Sequence, residues 1–537
     1  MSEVASPVPQ EILSPQEVTT PSLTNFIDQL PQDPEVATIT EIYHQPDKLP
    51  LPSPENYSDT LKQILELARE IEPYTSKINP INLLTIDNLN AVKADFLANP
   101  TQNPVFTYQK STTDLKEAFG GDISSVVNHL KETRRQLLEI KTDRGSVEQI
   151  ARFVLGEIIR DHLAALDLTE GLATANEAQV KTSLGRIYGQ ELSPATISSA
   201  EQLFDFLKQP SSPEHQPAGL VPENIVTTID SLPDFPSNAA GVEQLALLRE
   251  QNPQQAAYYA DAAQIKHAFE WSLEQYYQHY DASHEQPLPP EKKYQVIIDP
   301  TASSIDVRDK SPFGKTVVVP EHRIVKVDAL LKLIEHEIEA HARQGLNGSS
   351  DKIGGLGGGS LKINDEVLME GLALVNEDRL ERELFGREPK ITERRIYYIF
   401  TEQMAAQGKD FVATFREIRP KIAELFLASG KDIEQQSAVI DDEAWLVTYR
   451  AFRGHTDTSN PLSFASLKDR AYLEGYLLAN QLQKNNISHL NELAVPQLKA
   501  LRLLARFDVQ PSNQDFPHLD LAKRYYSEHL SPALAAA

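Results

Sequence analysis

The sequence predicts a mainly α-helical protein of α+β class, with a small sheet beside one central helix and helical subdomains on either side. Apolar residues recur at helical spacing through most of the chain after Ser58. Strand-like runs are short and cluster between residues 294 and 319. The 537 residues are 40% apolar, enough for one large core or more than one. Four regions follow: a Pro-rich leader (1–55), an N-terminal helical subdomain (56–285), the strands with the helices that carry the candidate ligands (286–387), and a C-terminal helical subdomain that completes a cleft (388–537).

Residues 1–55 are rich in Pro, Ser, Thr and acids, most densely at Leu49-Pro50-Leu51-Pro52-Ser53-Pro54, and read as largely disordered. Leu23 to Leu30 is the apolar piece able to dock on the folded body. Helical patterns then run over Thr60 to Glu72, Leu83 to Leu97, Ile123 to Ile140 and Val147 to Leu166. Six prolines between Pro210 and Pro236 predict a long surface connection. A helix around Ala256 to Tyr280 carries Tyr258, Tyr259, Phe269, Trp271, Tyr276 and Tyr277, an aromatic set expected in the core.

Tyr294 to Asp299, Ile305 to Arg308 and Thr316 to Val319 read as strands. The central helix begins after Asp328, the expected N-cap, and buries Leu330, Leu331, Leu333, Ile334 and Ile338. Gly354 to Gly359 reads as a flexible loop able to act as a lid; it lacks the flanking strand and Lys-Ser/Thr of a phosphate cradle. Helices follow over Ile363 to Phe385, Ile391 to Gln407, Phe411 to Leu427, Glu434 to Phe452, Leu467 to Gln483 and Val495 to Leu504. Arg379 and Arg382 are expected on the outer face of the first of these.

The central helix carries His336-Glu337-Ile338-Glu339-Ala340-His341, and Glu370 lies downstream. Two neutral imidazoles and a carboxylate can hold one Zn2+ per chain and leave a position open for water. The common zinc-peptidase spacing puts its histidines at i and i+4, on one helix face. Here one residue is added, and at about 100° per residue the two rings diverge by roughly 140° on an ideal α-helix. Both can reach one metal only if the helix widens into a π-bulge or breaks within Ile338 to Ala340. Strands leading into such a helix are the setting of a zincin-like metallopeptidase.

Glu337 adjoins the first ligand but points away from the metal, placed to take a proton from water and pass it to a leaving amine. Glu339 is expected on the solvent side, with a lean towards the site as the alternative. A peptidase that cleaved at a C-terminus would need a cation to read the terminal carboxylate, for which Arg453 and Lys468 are candidates. Tyr472 or His455 would help stabilise the oxyanion. Glu170-Gly171-Leu172-Ala173 repeats the four letters that begin at Glu370 but lies upstream of the metal motif; it reads as coincidence, with Gly171 a helix C-cap.

Several separate blocks together resemble the tyrosine carboxypeptidase family, which includes the microtubule-associated tyrosine carboxypeptidase and bacterial QEGLA-motif proteins. They are the His-Glu-x-x-x-His spacing, Leu346-Asn347-Gly348 with the glycine-rich stretch after it, and Glu370-Gly371-Leu372-Ala373. Arg453-Gly454, Lys468-Asp469 and Tyr472-Leu473-Glu474-Gly475 add C-terminal blocks; Asn79-Pro80 and Asn103 to Tyr108 add N-terminal ones. The resemblance covers roughly residues 57 to 480. It implies that Glu370 is the third zinc ligand and that the substrate is a C-terminal aromatic residue, Tyr or Phe. Glu339-Ala340 stands where the family has Gly-Thr, Met369 where it has Gln or Glu, and an insertion separates Gly454 from Lys468. These departures leave the ligand set intact.

A net charge of -26 argues against general nucleic-acid or anionic-membrane binding, and against an acidic peptide tail unless the cleft is locally basic. No cysteine is present, which excludes a thiol nucleophile, disulfides and cysteine zinc modules. The N-terminus lacks a basic, then apolar, signal pattern, and no apolar run approaches about 18 residues. The reading is a cytoplasmic zinc carboxypeptidase acting on a peptide or protein C-terminus. A zinc endopeptidase or aminopeptidase, or a non-catalytic helical protein with a structural metal site, are the alternatives.

Overall fold

The computed structural model describes residues 23–49, 56–75, 77–78, 83–143, 145–209, 219–302, 304–308, 315–348, 366–389, 392–459, 464–488, 501–502, 504–507 and 515–536. The expected lid at Gly354 to Gly359, the Asn79-Pro80 block and most of the Val495 to Leu504 helix lie outside these residues.

The described residues are mainly helical with two small sheets. The sheet near the central helix is the expected one: β2 (Gln295–Asp299) runs parallel to β4 (Thr316–Pro320), and β3 (Asp306–Arg308) pairs antiparallel with β4 on its other side. Its middle strand, TVVVP, is buried along its whole length, as a β-branched run covered on both faces should be. A second pair, β1 (Tyr259–Asp261) with β5 (Ile324–Lys326), was not legible; β1 interrupts the expected Ala256 to Tyr280 helix. The Ala262–Ser283 helix then starts at a capping box formed by Asp261 and Gln264.

Two further expectations are corrected. Part of the leader is structured: Asp33 caps the Pro34–Tyr43 helix by accepting from Glu35 N–H at 2.8 Å, with Pro34 in the first turn and Val36 and Ile39 fully buried. The Leu23–Ile27 helix docks as expected, and Thr24 Oγ1 donates to Glu388 at 3.0 Å. Within the proline-rich connection, Glu223–Ser231 is a helix that buries Ile225 and Ile229; Pro222 and Pro233 flank it without entering it.

The core falls into two main clusters. The first joins residues from Leu23 to Phe204 with residues from Val367 to Phe507, around Trp445, Phe96 and Phe411, whose rings lie 5.0–5.1 Å apart. The second joins residues from Val221 to Leu346 with Leu380, Leu384 and Phe385 and with the segment from Phe516 to Leu534. This grouping cuts across the four expected regions. The Glu366–Phe385 helix spans the seam, its first half packed in one cluster and its second half in the other.

The central helix runs α over Val327–Leu333, π over the nine residues Ile334–Ala342, and α again over Arg343–Gly348. Asp328 is not its cap. Lys326 occupies that position, and the Asp328 carboxylate instead accepts from Arg387 at 3.2 Å.

Candidate metal and peptidase site

The π stretch resolves the spacing problem posed by His336 and His341. A π turn holds one residue more than an α turn, so side chains five positions apart return to the same side. The two rings stand 4.8 Å apart and nearly perpendicular. Glu370, in the second turn of the Glu366–Phe385 helix, faces both: its carboxylate oxygens lie 3.6 Å from His336 Nε2 and 3.7 Å from His341 Nε2. One donor atom from each of the three lies within 4.8 Å of the others. A tetrahedral zinc with bonds of about 2.1 Å needs donors roughly 3.4 Å apart, so the set fits with small side-chain movements.

His336 is fixed from behind. Its Nδ1 lies 2.6 Å from Glu377, two helical turns beyond Glu370 and on the same face. Burial would lower the His336 pKa, but that hydrogen bond and the charges of Glu377, Glu337 and Glu370 outweigh it and raise it to about 10. Glu337 is 8% exposed, and its pKa is pushed up to about 7 by burial, with Glu370, Asp306 and Glu377 adding to the shift against His336. Glu377 escaped the sequence reading, although its seven-residue distance from Glu370 on one helix was the signal that could have found it.

Glycines set the distance between the helices that face the metal helix. Gly371 and Gly475 lie where the Glu366–Phe385 and Ala471–Lys484 helices cross; a Cβ on Gly371 would overlap the Gly475 carbonyl, and one on Gly475 would overlap the Val367 carbonyl. Only hydrogen at both positions lets the backbones approach this closely. The crossing brings Tyr472 beside Glu370. The Glu370 charge, then burial, pushes the Tyr472 phenol well above its usual range, so it keeps its proton.

Next to Tyr472 is a cationic group. Asp469 lies 3.3 Å from Arg450 and 3.8 Å from Arg453. Burial would raise the Asp469 carboxyl, but Arg450, Arg453 and Lys468 hold it below its ordinary range. Three cations thus act on one buried carboxylate, giving a locally basic patch. Arg450 was missed; its guanidinium sits over the Tyr398 ring, and Tyr398 packs 5.8 Å from Tyr472.

His455 is corrected as a candidate. It is fully buried, stacked 3.9 Å from Phe464, and burial lowers its pKa to about 4; it is a neutral core residue. Glu339 is likewise not on the solvent side: it is fully buried and turned to another face, towards Tyr276 and the 515–536 segment. Arg379 is not on an outer face either, and reaches Glu335 at 3.4 Å. Gly171 is no C-cap; it lies within the Val147–Ala173 helix, where an added Cβ would stand 3.0 Å from Val180 on the next helix.

Residues 242–502 match the family model described as microtubule-associated tyrosine carboxypeptidase. That match supports membership of the tyrosine carboxypeptidase family. The match contains every candidate ligand, the cationic group and Tyr472, and the family is one of carboxypeptidases. It begins after the N-terminal blocks at Asn79 and Asn103, so those fall outside it. Comparison with curated proteins gives no match. No helix among the described residues is long and apolar enough to cross a membrane.

Proposed function

We propose that the protein is a zincin-like, zinc-dependent carboxypeptidase that removes one C-terminal residue, Tyr or Phe by preference, with Glu337 as general base. The convergence of His336, His341 and Glu370 on one point beside buried Glu337 carries this reading. Bound by these three side chains, zinc would supply a Lewis acid for the scissile carbonyl and for water.

The protein groups then divide the work. Glu337 takes a proton from the attacking water as its oxygen bonds to the carbonyl carbon, and returns that proton to the nitrogen as the C–N bond breaks. Tyr472, protonated and beside Glu370, is available to donate to the carbonyl oxygen. Arg453 and Lys468, with Arg450, offer the surplus positive charge that a terminal carboxylate requires. Aromatic preference rests on the family name alone.

The test combines metal quantification with mass spectrometry of peptides that vary at the last residue, for wild type and Glu337→Gln. One zinc per chain with Glu337-dependent loss of a single C-terminal residue supports the reading. Internal cleavage would replace it with an endopeptidase, and absence of tightly bound metal would overturn it.

A further inference from the structure

The π stretch presents a second face, and much of what holds that face lies beyond residue 502, outside the family match. Glu339 is fully buried and takes backbone N–H donors from Leu519 at 3.2 Å and Leu521 at 2.8 Å, with the Tyr276 hydroxyl as a further donor. His518 Nε2 lies 3.1 Å from Glu335 and 3.5 Å from Glu339, between two carboxylates one helical turn apart. Asn347, 1% exposed, closes a paired contact beyond the π stretch: its Nδ2 donates to the Phe516 carbonyl at 2.9 Å and its Oδ1 accepts from Phe516 N–H at 3.0 Å. Phe516 stacks on Tyr280 at 5.3 Å, and Leu521, Ala522 and Tyr525 are buried in the second core.

Glu335 immediately precedes the first histidine, Glu339 lies in the widened turn, and Asn347 follows the second histidine. One short segment therefore grips the helix before, within and after the extra residue. A π turn has no advantage of its own over an α turn and persists where surrounding contacts enforce it. Relaxing to α would rotate Glu339 away from Leu519 and Leu521, leaving a buried carboxylate without those donors. It would also separate the rings of His336 and His341.

We infer that the segment Asp515–Ala536 is a brace for the metal site, with Glu339 and His518 as positioning residues that hold His336 and His341 on one side of the helix. The inference rests on the proposed metal site. It assigns a role to a segment beyond residue 502, and to the glutamate that replaces the family's small residue between the histidines.

The test uses the full chain throughout: wild type, His518→Leu, His518→Lys, and His529→Ala as a control. His529 belongs to the same segment and packs on Trp271 and Tyr525, away from the π stretch. Zinc affinity by chelator competition is read with hydrogen exchange of the 336–346 amides in the metal-free protein. His518→Leu should weaken zinc about 10- to 100-fold, as loss of a supporting contact does, and speed exchange of those amides. His518→Lys, which restores a nitrogen donor between the carboxylates, should recover most of both. His529→Ala should change neither. Equal effects from His529→Ala, or wild-type affinity and exchange in His518→Leu, would overturn the brace; failure of wild type to bind zinc would instead overturn the metal site.

Discussion

Glu337 and His336 carry the sharpest residue-scale consequences. Glu337→Gln should fold and retain metal while the turnover rate falls by about 10²- to 10⁴-fold, the usual contribution of a positioned general base, measured on a C-terminal peptide substrate. His341→Ala should lose metal and activity together. Metal uptake should also be proton-linked. With its pKa raised to about 10 by Glu377 and the neighbouring carboxylates against burial, metal-free His336 is protonated at neutral pH, whereas a ligand imidazole must be neutral. Binding should therefore release about one proton, and affinity should fall roughly tenfold for each pH unit lowered below that value. Calorimetry in buffers of different ionisation enthalpy checks the proton count. The candidate ligands were legible because three residues of two metal-binding types, His and Glu, stood near each other in sequence. Glu335, Glu339 and His518 were not, because their meaning depends on a contact between positions far apart in the chain.

At the scale of elements, the extra residue in the metal helix was readable as a demand for a widened turn, and the π stretch Ile334–Ala342 meets it. Strands β2, β3 and β4 were readable from their β-branched runs. β1 was not, because Tyr259 to Asp261 is too short to break a helical pattern by composition and exists by pairing with β5. Nor was the helix at Glu223–Ser231, since prolines around a short helix look the same as prolines in a loop. The glycine crossing yields a prediction of its own. Gly475→Ala must push the Ala471–Lys484 helix off the Glu366–Phe385 helix, costing about 1–3 kcal/mol of stability. Because Tyr472 rides on the displaced helix, kcat/KM should fall further than in a control of matched stability such as Ile422→Val, which thins the same core elsewhere. Thermal unfolding together with kinetics separates the two losses.

For the whole molecule, the site sits on a seam. His336 and His341 belong to a helix packed in the second core, while Glu370 lies on the half of its helix packed in the first. Metal held by all three should stabilise both cores, by about 4 kcal/mol at a free concentration a thousand times its dissociation constant. Calorimetric scans should show the metal-free protein melting earlier, with the two cores moving up together when zinc is added. Trp445→Ala, which empties the centre of the first core, should cost about 3–5 kcal/mol and leave the intrinsic proton count of metal binding unchanged. The order of residues along the chain also becomes an order in time during synthesis. The carboxylate of Glu339 finds two of its donors only when Leu519 and Leu521 have left the ribosome, long after both histidines have emerged. A nascent chain carrying every candidate ligand of the site would still lack the contacts that enforce their spacing, and the site would stay incomplete until Leu519 and Leu521 emerge.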